Sequence, residues 1–572
     1  MCKKRWFPSL KLSDKAIFLA LLTVAFSEVG CQSNIYHSLA TAVTFLPIVE
    51  STPTLVATAP PLNSPTIDPK RTDVVATATS KTPKKPTQVI PPTPTATSTS
   101  ILVSPTPVRL IYYVSKEGND QLGTGSRNKP WATIGFAVES VEDGAMIIVL
   151  PGTYYGQLSL NRTFSDGIVI QSEKDYQAQL RSDKIVISCD FCQGITISGF
   201  DIAHSEEGAA RYVIQIQDQS EDQSGGRRVT LRNNIIHDSY NNDLIKVNRG
   251  ADNVFIEGNM FYNMGGPGLD SHIDANSVTD VIIQDNVFFN DFAASGRDNN
   301  NDTGSFIVIK DSNGDEDTNL GSKSITVRRN IFLNWQGEEN NTFLVIGEDN
   351  VSHFQADGVL VENNLMLGNA KNPMRAAFHV RGSRQITFRN NTVVGDLPSR
   401  SYAMRLSRSD ENHANEGIYF YNNIWSDPTG TMGASSESND TLFAQAEPAD
   451  TTSVELLNNL YWNGVQRVPW DENQLVNYTD DPQRILANPG LSSLEDVKTP
   501  HWIAGEGRFA DGSSTIKAVF HRLVMAYGAT AASSPAIDAA AVQYAPEEDI
   551  LGKPRSVPDI GAYEYPKPPQ KD

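Results

Sequence analysis

The stretch Val281-Ile-Ile283-Gln-Asp-Asn286-Val-Phe-Phe-Asn290 is one instance of a pattern met eight times: a short apolar strand, an asparagine, then another apolar pair. The asparagines are Asn234, Asn259, Asn286, Asn330, Asn364, Asn391, Asn423 and Asn459. A second Asn or Asp often follows four residues later, at Asp238, Asn263, Asn290, Asn334, Asp427 and Asn463. Steps of 25 to 44 residues hide this repeat from a fixed-period scan, yet it decides the architecture.

The apolar positions before each asparagine come in pairs two apart, such as Val229/Leu231, Val254/Ile256, Ile325/Val327 and Ile418/Phe420. That spacing points both side chains to one face of a strand. A second strand precedes each across a variable loop, with pairs such as Ile245/Val247, Ile307/Ile309 and Phe378/Val380. Two strands this short bury nothing alone. Stacked at the inter-strand spacing of about 4.8 Å, successive turns bury a continuous core. The expected fold is all-β, a parallel β-solenoid. The asparagine is placed at the bend between strands, where it tolerates a left-handed backbone, and its amides can bond from turn to turn. In Ile195-Thr-Ile197-Ser-Gly-Phe200, Phe200 takes the asparagine's place, so the ladder is expected to stop there.

The 572 residues divide into four expected segments. Lys3-Lys4-Arg5 and the apolar run Ala16 to Phe26 make 1–30 a secretory signal, too short to span a bilayer. Cys31 after Gly30 could carry a lipid anchor, although Ala25-Phe-Ser27 is a competing cleavage site. Residues 31–108, rich in Thr, Pro and Ser, form an extended tether. The solenoid covers 109–466 and a C-terminal region 467–572. A secreted or cell-surface monomer is expected, touching membrane only through Cys31.

The formal net charge of −20 argues against a nucleic-acid partner. Cys189-Asp-Phe-Cys192 lacks the further ligands a zinc site needs, leaving a local disulfide or two buried thiols.

The solenoid ruler also aligns outward positions. One column runs Gln215, Lys246, Asp274, Val308, Val345, His379, Arg405; the next runs Gln217, Asn248, Asn276, Lys310, Gly347, Arg381, Ser407. Asp243, Asp270 and His272 flank them. Three carboxylates, Asp243, Asp270 and Asp274, could hold Ca²⁺. Lys246, His272, Lys310 and Arg381 could move a proton or neutralise a substrate carboxylate. A plain face of cross-strand salt bridges is the competing reading. Arg297 to Asp302 and Asp311-Ser-Asn-Gly-Asp-Glu-Asp317 are further oxygen-rich loops, the second similar to the start of a calcium loop. Trp335, Trp425, Tyr461 and Trp462 are expected to serve packing.

The opening, Tyr112-Tyr-Val-Ser-Lys-Glu-Gly-Asn-Asp120 through Lys129-Pro-Trp-Ala-Thr133 to Val149-Leu-Pro-Gly-Thr-Tyr154, is similar to the N-terminal cap of exported β-helix proteins. The ending, Ser534-Pro-Ala-Ile-Asp538, Gly552-Lys-Pro-Arg555 and Pro558-Asp-Ile-Gly-Ala-Tyr-Glu564, resembles a choice-of-anchor Q terminus. Together with the ladder, about 110–566 resembles the pectate-lyase-like right-handed parallel β-helix superfamily. The resemblance implies a right-handed parallel β-helix acting on an anionic polysaccharide, cleaving a uronic-acid polymer by β-elimination. In that scheme Lys246 is the base, and Asp243, Asp270 and Asp274 hold the cation. The adjacent Asp-Asp cluster of pectate lyases is missing, as are the Asn-Thr-Asp and Gly-His-Gly motifs of polygalacturonases. Asp270-Ser-His272 resembles the Asp-Pro-His of uronate C5-epimerases, which would make His272 the proton acceptor. A non-catalytic glycan-binding or structural surface protein is the alternative, since one fold hosts many functions.

Overall fold

The computed structural model describes residues 109–567, apart from 206–208, 210, 220–224, 266–269, 299–302, 313–318, 339–340, 371–373, 396–400 and 434–441. The signal segment, Cys31 and the tether lie outside the described residues, as do parts of both oxygen-rich loops. The described residues belong to one compact unit.

Three long sheets run the length of the solenoid, with twelve, ten and twelve strands, and every pairing within them is parallel. Each strand pairs with the equivalent strand of the turns before and after, the signature of a right-handed parallel β-helix. Each turn carries three strands rather than the two expected. The apolar pair after the ladder asparagine is itself a short strand, as in Ile235–His237, Met260–Tyr262 and Val287–Phe289. The apolar pairs predicted to face inward are buried, except that Val454, in the last of them, is half-buried.

The asparagines stack as a continuous ladder. Each backbone N–H donates to the side-chain oxygen of the next: Asn234 to Asn259 at 2.9 Å, Asn259 to Asn286 at 2.8 Å, Asn330 to Asn364 at 2.9 Å, and so on to Asn459. Each side-chain amide also donates to a backbone carbonyl, as Asn330 does to Ile283 at 2.9 Å. Phe200 N–H donates to Asn234 and closes one end, as expected. Asp481 closes the other, taking the backbone and side-chain N–H groups of Asn459 at 2.8 and 2.9 Å. The left-handed backbone, however, belongs to the residue before each ladder asparagine: Asn233, Asp285, Arg329, Asn363, Asn390, Asn422 and Asn458 have φ of 50° to 59°. The ladder asparagines were expected to supply that conformation; they supply hydrogen bonds instead.

The outer face of the third sheet presents Tyr262, Phe289, Leu333 and Leu367, which pack against Phe509 and a C-terminal helix, Ile516–Leu523. That helix begins at Thr515, whose hydroxyl caps Ala518, and buries Ile516, Val519, Phe520 and Leu523 on one stripe. The C-terminal region is therefore clamped along the solenoid.

Trp335, Trp425 and Tyr461 are core residues, as expected. Cys189 and Cys192 are joined as a buried disulfide.

Candidate active site

The second sheet carries the candidate site. Its central strands, Ile245–Asn248 and Ile273–Asn276, are buried at every position, although their outward residues are polar. A polar column hidden from water needs partners, and the register supplies them. Lys246 lies directly opposite Asp274, and Asn276 opposite Lys310. The Lys246 ammonium donates to Asp274 Oδ2 at 2.6 Å. The Lys310 ammonium reaches the same oxygen at 3.7 Å, an ion pair rather than a hydrogen bond. Lys310 also meets Glu348 at 2.5 Å and Asp349 at 3.3 Å, one turn further on. The side chains of Lys246 and Asp274 are each 9% exposed and that of Lys310 is 12% exposed, whereas Glu348 and Asp349 reach solvent at 34% and 35%.

Burial pushes the Asp274 carboxyl up, but Lys246 and Lys310 outweigh it and hold it below the usual range. Burial pulls both ammonium groups down. Asp274 reverses this for Lys246, and Asp274, Glu348 and Asp349 reverse it for Lys310, so both stay charged beyond the ordinary lysine range. Lys246 is therefore a poor general base. A base must be deprotonated, and this lysine is locked as its ammonium.

Asp243 behaves oppositely. Burial first, and the Asp274 charge second, hold its carboxyl well above the ordinary range, so it keeps its proton. Its Oδ1 takes the Ser271 N–H at 2.7 Å. Asp274 Oδ1 is buried without a hydrogen-bond partner among the described residues. Two neighbouring carboxyl groups with opposed protonation are the usual signature of acid and base roles. The Tyr212 hydroxyl, raised by burial, feels the charges of Lys246, Asp243 and Asp274. Tyr212, Glu348 and Asp349 were missed in the sequence. Glu348 and Asp349 directly follow Gly347 of the Lys310 column, and that adjacency was the available signal.

His272 is not in this site. The strand begins at Ile273, and the bend just before it turns the imidazole inward. It is fully buried between Phe261, Phe288 and Phe306, with ring centroids at 6.2, 5.8 and 4.4 Å, and Nε2 lies 3.2 Å from Asn290 Oδ1. Burial lowers its pKa to about 3. Neither a catalytic nor an epimerase-like role fits that position. Arg381 is also displaced from the centre, two turns beyond Lys310 on Ala376–Arg381, where it donates to the Glu348 carbonyl at 2.6 Å.

The expected calcium triad does not form. Asp274 is already neutralised by two ammonium groups, and Asp243 holds a proton. Among the described residues no group of three acidic, His or Cys side chains is arranged around a metal position. This donor set does not fit Ca²⁺. Asp311, the first residue of the calcium-like loop, instead binds Ser277 and His353, each at 2.7 Å.

No family model and no curated protein matches the chain. Among solved structures, it is similar to the pectate lyase Pel9A at 14% identity, covering 80% of this chain and 96% of that one, with a TM-score of 0.44. A mannuronic acid specific polysaccharide family 6 lyase from human gut microbiota is 12% identical, covering 68% and 88%, with a TM-score of 0.40. A GH136 lacto-N-biosidase from Eubacterium ramulus is 12% identical, covering 66% and 68%, with a TM-score of 0.43.

Proposed function

We propose that this protein is a carbohydrate-active β-helix that cleaves a uronate-containing polysaccharide by β-elimination over Lys246, Asp274 and Lys310. The observation that carries this reading is a buried carboxylate held between two ammonium groups beside a carboxyl that keeps its proton. A substrate carboxylate entering between Lys246 and Lys310 takes over their charges, which acidifies the substrate's C5–H. Asp274, losing its counter-charges while staying desolvated, becomes more basic, and its open Oδ1 accepts that proton. The electron pair forms the C4–C5 double bond, the C4–O bond breaks, and Asp243 protonates the leaving oxygen. Proton return from Asp274 to Asp243 resets the pair. No step passes through calcium.

Export, a lipid anchor at Cys31 and display on the 31–108 tether belong to the same proposal and rest on the composition of the N-terminal segment.

The experiment is a polysaccharide panel of polygalacturonate, alginate and glycosaminoglycans, read by the ultraviolet absorbance of the unsaturated product. Turnover should follow a bell-shaped pH profile, its acid limb from ionising the pair once and its alkaline limb from ionising it twice. Absence of unsaturated product across the panel defeats the elimination. One observation favours a second reading, a non-catalytic glycan-binding head: the central side chains are closed to solvent at about the level of structural ion pairs. Polymer binding without turnover identifies that case.

A further inference from the structure

The residue just before each ladder asparagine forms a second strip, along the bend between the first and third sheets and beside the C-terminal region. At its far end this strip is covered by the chain's own backbone. Asn363 donates to the Glu548 carbonyl at 2.7 Å, Asn390 to that of Asp559 at 2.9 Å and Asn458 to that of Ala539 at 2.7 Å, while Asn422 accepts the Ala541 N–H at 2.8 Å. At its near end the strip runs Asn233, Gly258, Asp285, Arg329, and there it borders a cavity of about 500 Å³ instead. The opposite wall is apolar, built from Ile516 and Phe520 of the C-terminal helix and Ile550 of the loop that follows it. That volume, an apolar wall and a few polar groups are what small-molecule sites usually have.

Gly258 opens the floor of this cavity. Its φ of 64° lies close to the 53° and 59° of Asn233 and Asp285 on the flanking turns, so the backbone there accepts an asparagine or aspartate. A Cβ at Gly258 would meet nothing nearer than the Asn233 backbone nitrogen, at 4.0 Å. Neither strain nor crowding demands a glycine at this turn, and glycine costs the most chain entropy on folding. What it leaves is room.

The charges around that room are also unequal. Arg329 is spent on the frame: it bridges Asp285 at 2.8 Å and Glu548 at 3.0 Å, tying the bend to the C-terminal loop. Lys517 and Lys553 line the cavity with exposed side chains and make no ion pair among the described residues. Three cations against two carboxylates leave one positive charge, before His521 on the same rim is counted. A single negative charge balances this lining. A polyanion would also meet Asp285 and Glu548, so the uronate polymer of the preceding section does not suit this space.

We propose that this cavity, across the solenoid from Lys246 and Asp274, binds a small amphiphilic carboxylate: an apolar alkyl or aryl body against Phe520 and Ile550, over Gly258, with one carboxylate between Lys517 and Lys553. Burial of the apolar body supplies most of the affinity, and the two ammonium groups orient the head. The inference stands apart from the elimination and from its substrate.

The test is calorimetric titration of the full chain with decanoate, 2-naphthoate and decanol, each below its aggregation limit. The two acids should bind at one site per chain, and decanol roughly fivefold more weakly than decanoate. Gly258→Asn, which fills the floor and keeps the backbone, should weaken decanoate by roughly tenfold or more. Lys517→Gln and Lys553→Gln should each weaken it by roughly threefold and leave decanol unchanged. Lys129→Gln, an exposed lysine of the N-terminal cap, should have no effect. Thermal unfolding separates a lost site from a lost fold: the lysine variants should keep the parent's Tm, so their loss of affinity counts whatever Gly258→Asn does to folding. A parent that binds neither acid, or parental decanoate affinity in the Lys517→Gln/Lys553→Gln double variant, overturns the proposal. Decanol binding as tightly as decanoate overturns its assignment to an anion. Lysine-dependent sedimentation with phosphatidylglycerol vesicles, without decanoate binding, would make the patch a membrane-facing surface and overturn the cavity as a small-molecule site.

Discussion

The asparagine ladder and the Lys246–Asp274–Lys310 cluster are both rows of buried polar side chains running through successive turns, and they differ in how completely they are satisfied. In the ladder, each asparagine oxygen from Asn259 onward takes two N–H groups from the turn before, and each amide finds a carbonyl. In the cluster, Asp274 Oδ1 has no partner among the described residues, and Asp243 is kept protonated by burial first and the Asp274 charge second. A satisfied row stabilises and specifies; a half-satisfied one costs stability and is retained where it does something else. Three variants separate these terms.

The largest effect is expected from replacing the cluster by apolar side chains of similar shape: Lys246→Met, Asp274→Leu and Lys310→Met together. Activity should drop by about 10³-fold or more, while unfolding stability holds within about 1 kcal/mol or rises. Product formation and urea unfolding read the two halves. A large loss of stability in this variant would make the cluster a structural ion-pair network and end the comparison.

The ladder should behave in the opposite sense. Asn330→Leu keeps the side chain's size but leaves both N–H groups of Asn286 without an acceptor and the Ile283 carbonyl without its donor. At about 1–3 kcal/mol per orphaned buried group, the cost is on the order of 4 kcal/mol. Hydrogen exchange should show it concentrated in the turns of Asn286, Asn330 and Asn364, because a solenoid turn contacts mainly its neighbours. Loss spread evenly over all turns would argue against the ladder as a chain of local bonds.

The same contrast explains what could be seen in the sequence. The ladder was legible because inward asparagines and apolar pairs obey a strict period, and that period placed Lys246 opposite Asp274 and Lys310 one strand further on. The roles were not legible. Opposed protonation of Asp243 and Asp274 depends on burial and on the distance between charges, which no alignment of columns carries. Calcium was expected by counting carboxylates without counting the ammonium groups that neutralise them. Asp481, which ends the ladder, carries no repeat signature around it.

His272 gives the smallest expected effect and the sharpest test of side-chain direction. Counting back in twos from Asp274 places it outward, but the alternation starts only at Ile273. In register with His272, one residue before the first inward apolar residue of each strand, the column reads Val213, Leu244, His272, Phe306, Phe343, Ala377, Ala403, Phe443, and every member is buried. His272 is thus the polar member of an apolar stack, with Nδ1 unpartnered among the described residues. His272→Phe should change stability near neutral pH by less than about 1 kcal/mol, since the lost bond to Asn290 is offset by removing a buried orphan. Its pH dependence has a definite sign. A folded-state pKa of about 3 means that the imidazole must stay neutral in the fold, so its contribution is present above the ordinary value near ~6.5 and is lost as pH falls toward about 3. The variant should therefore keep more stability than the parent across that acidic window, by thermal unfolding at stepped pH. His379, also held neutral by burial, remains and preserves part of the acid limb. An unchanged acid limb, or loss of turnover in His272→Phe at neutral pH, would place the imidazole back in the site.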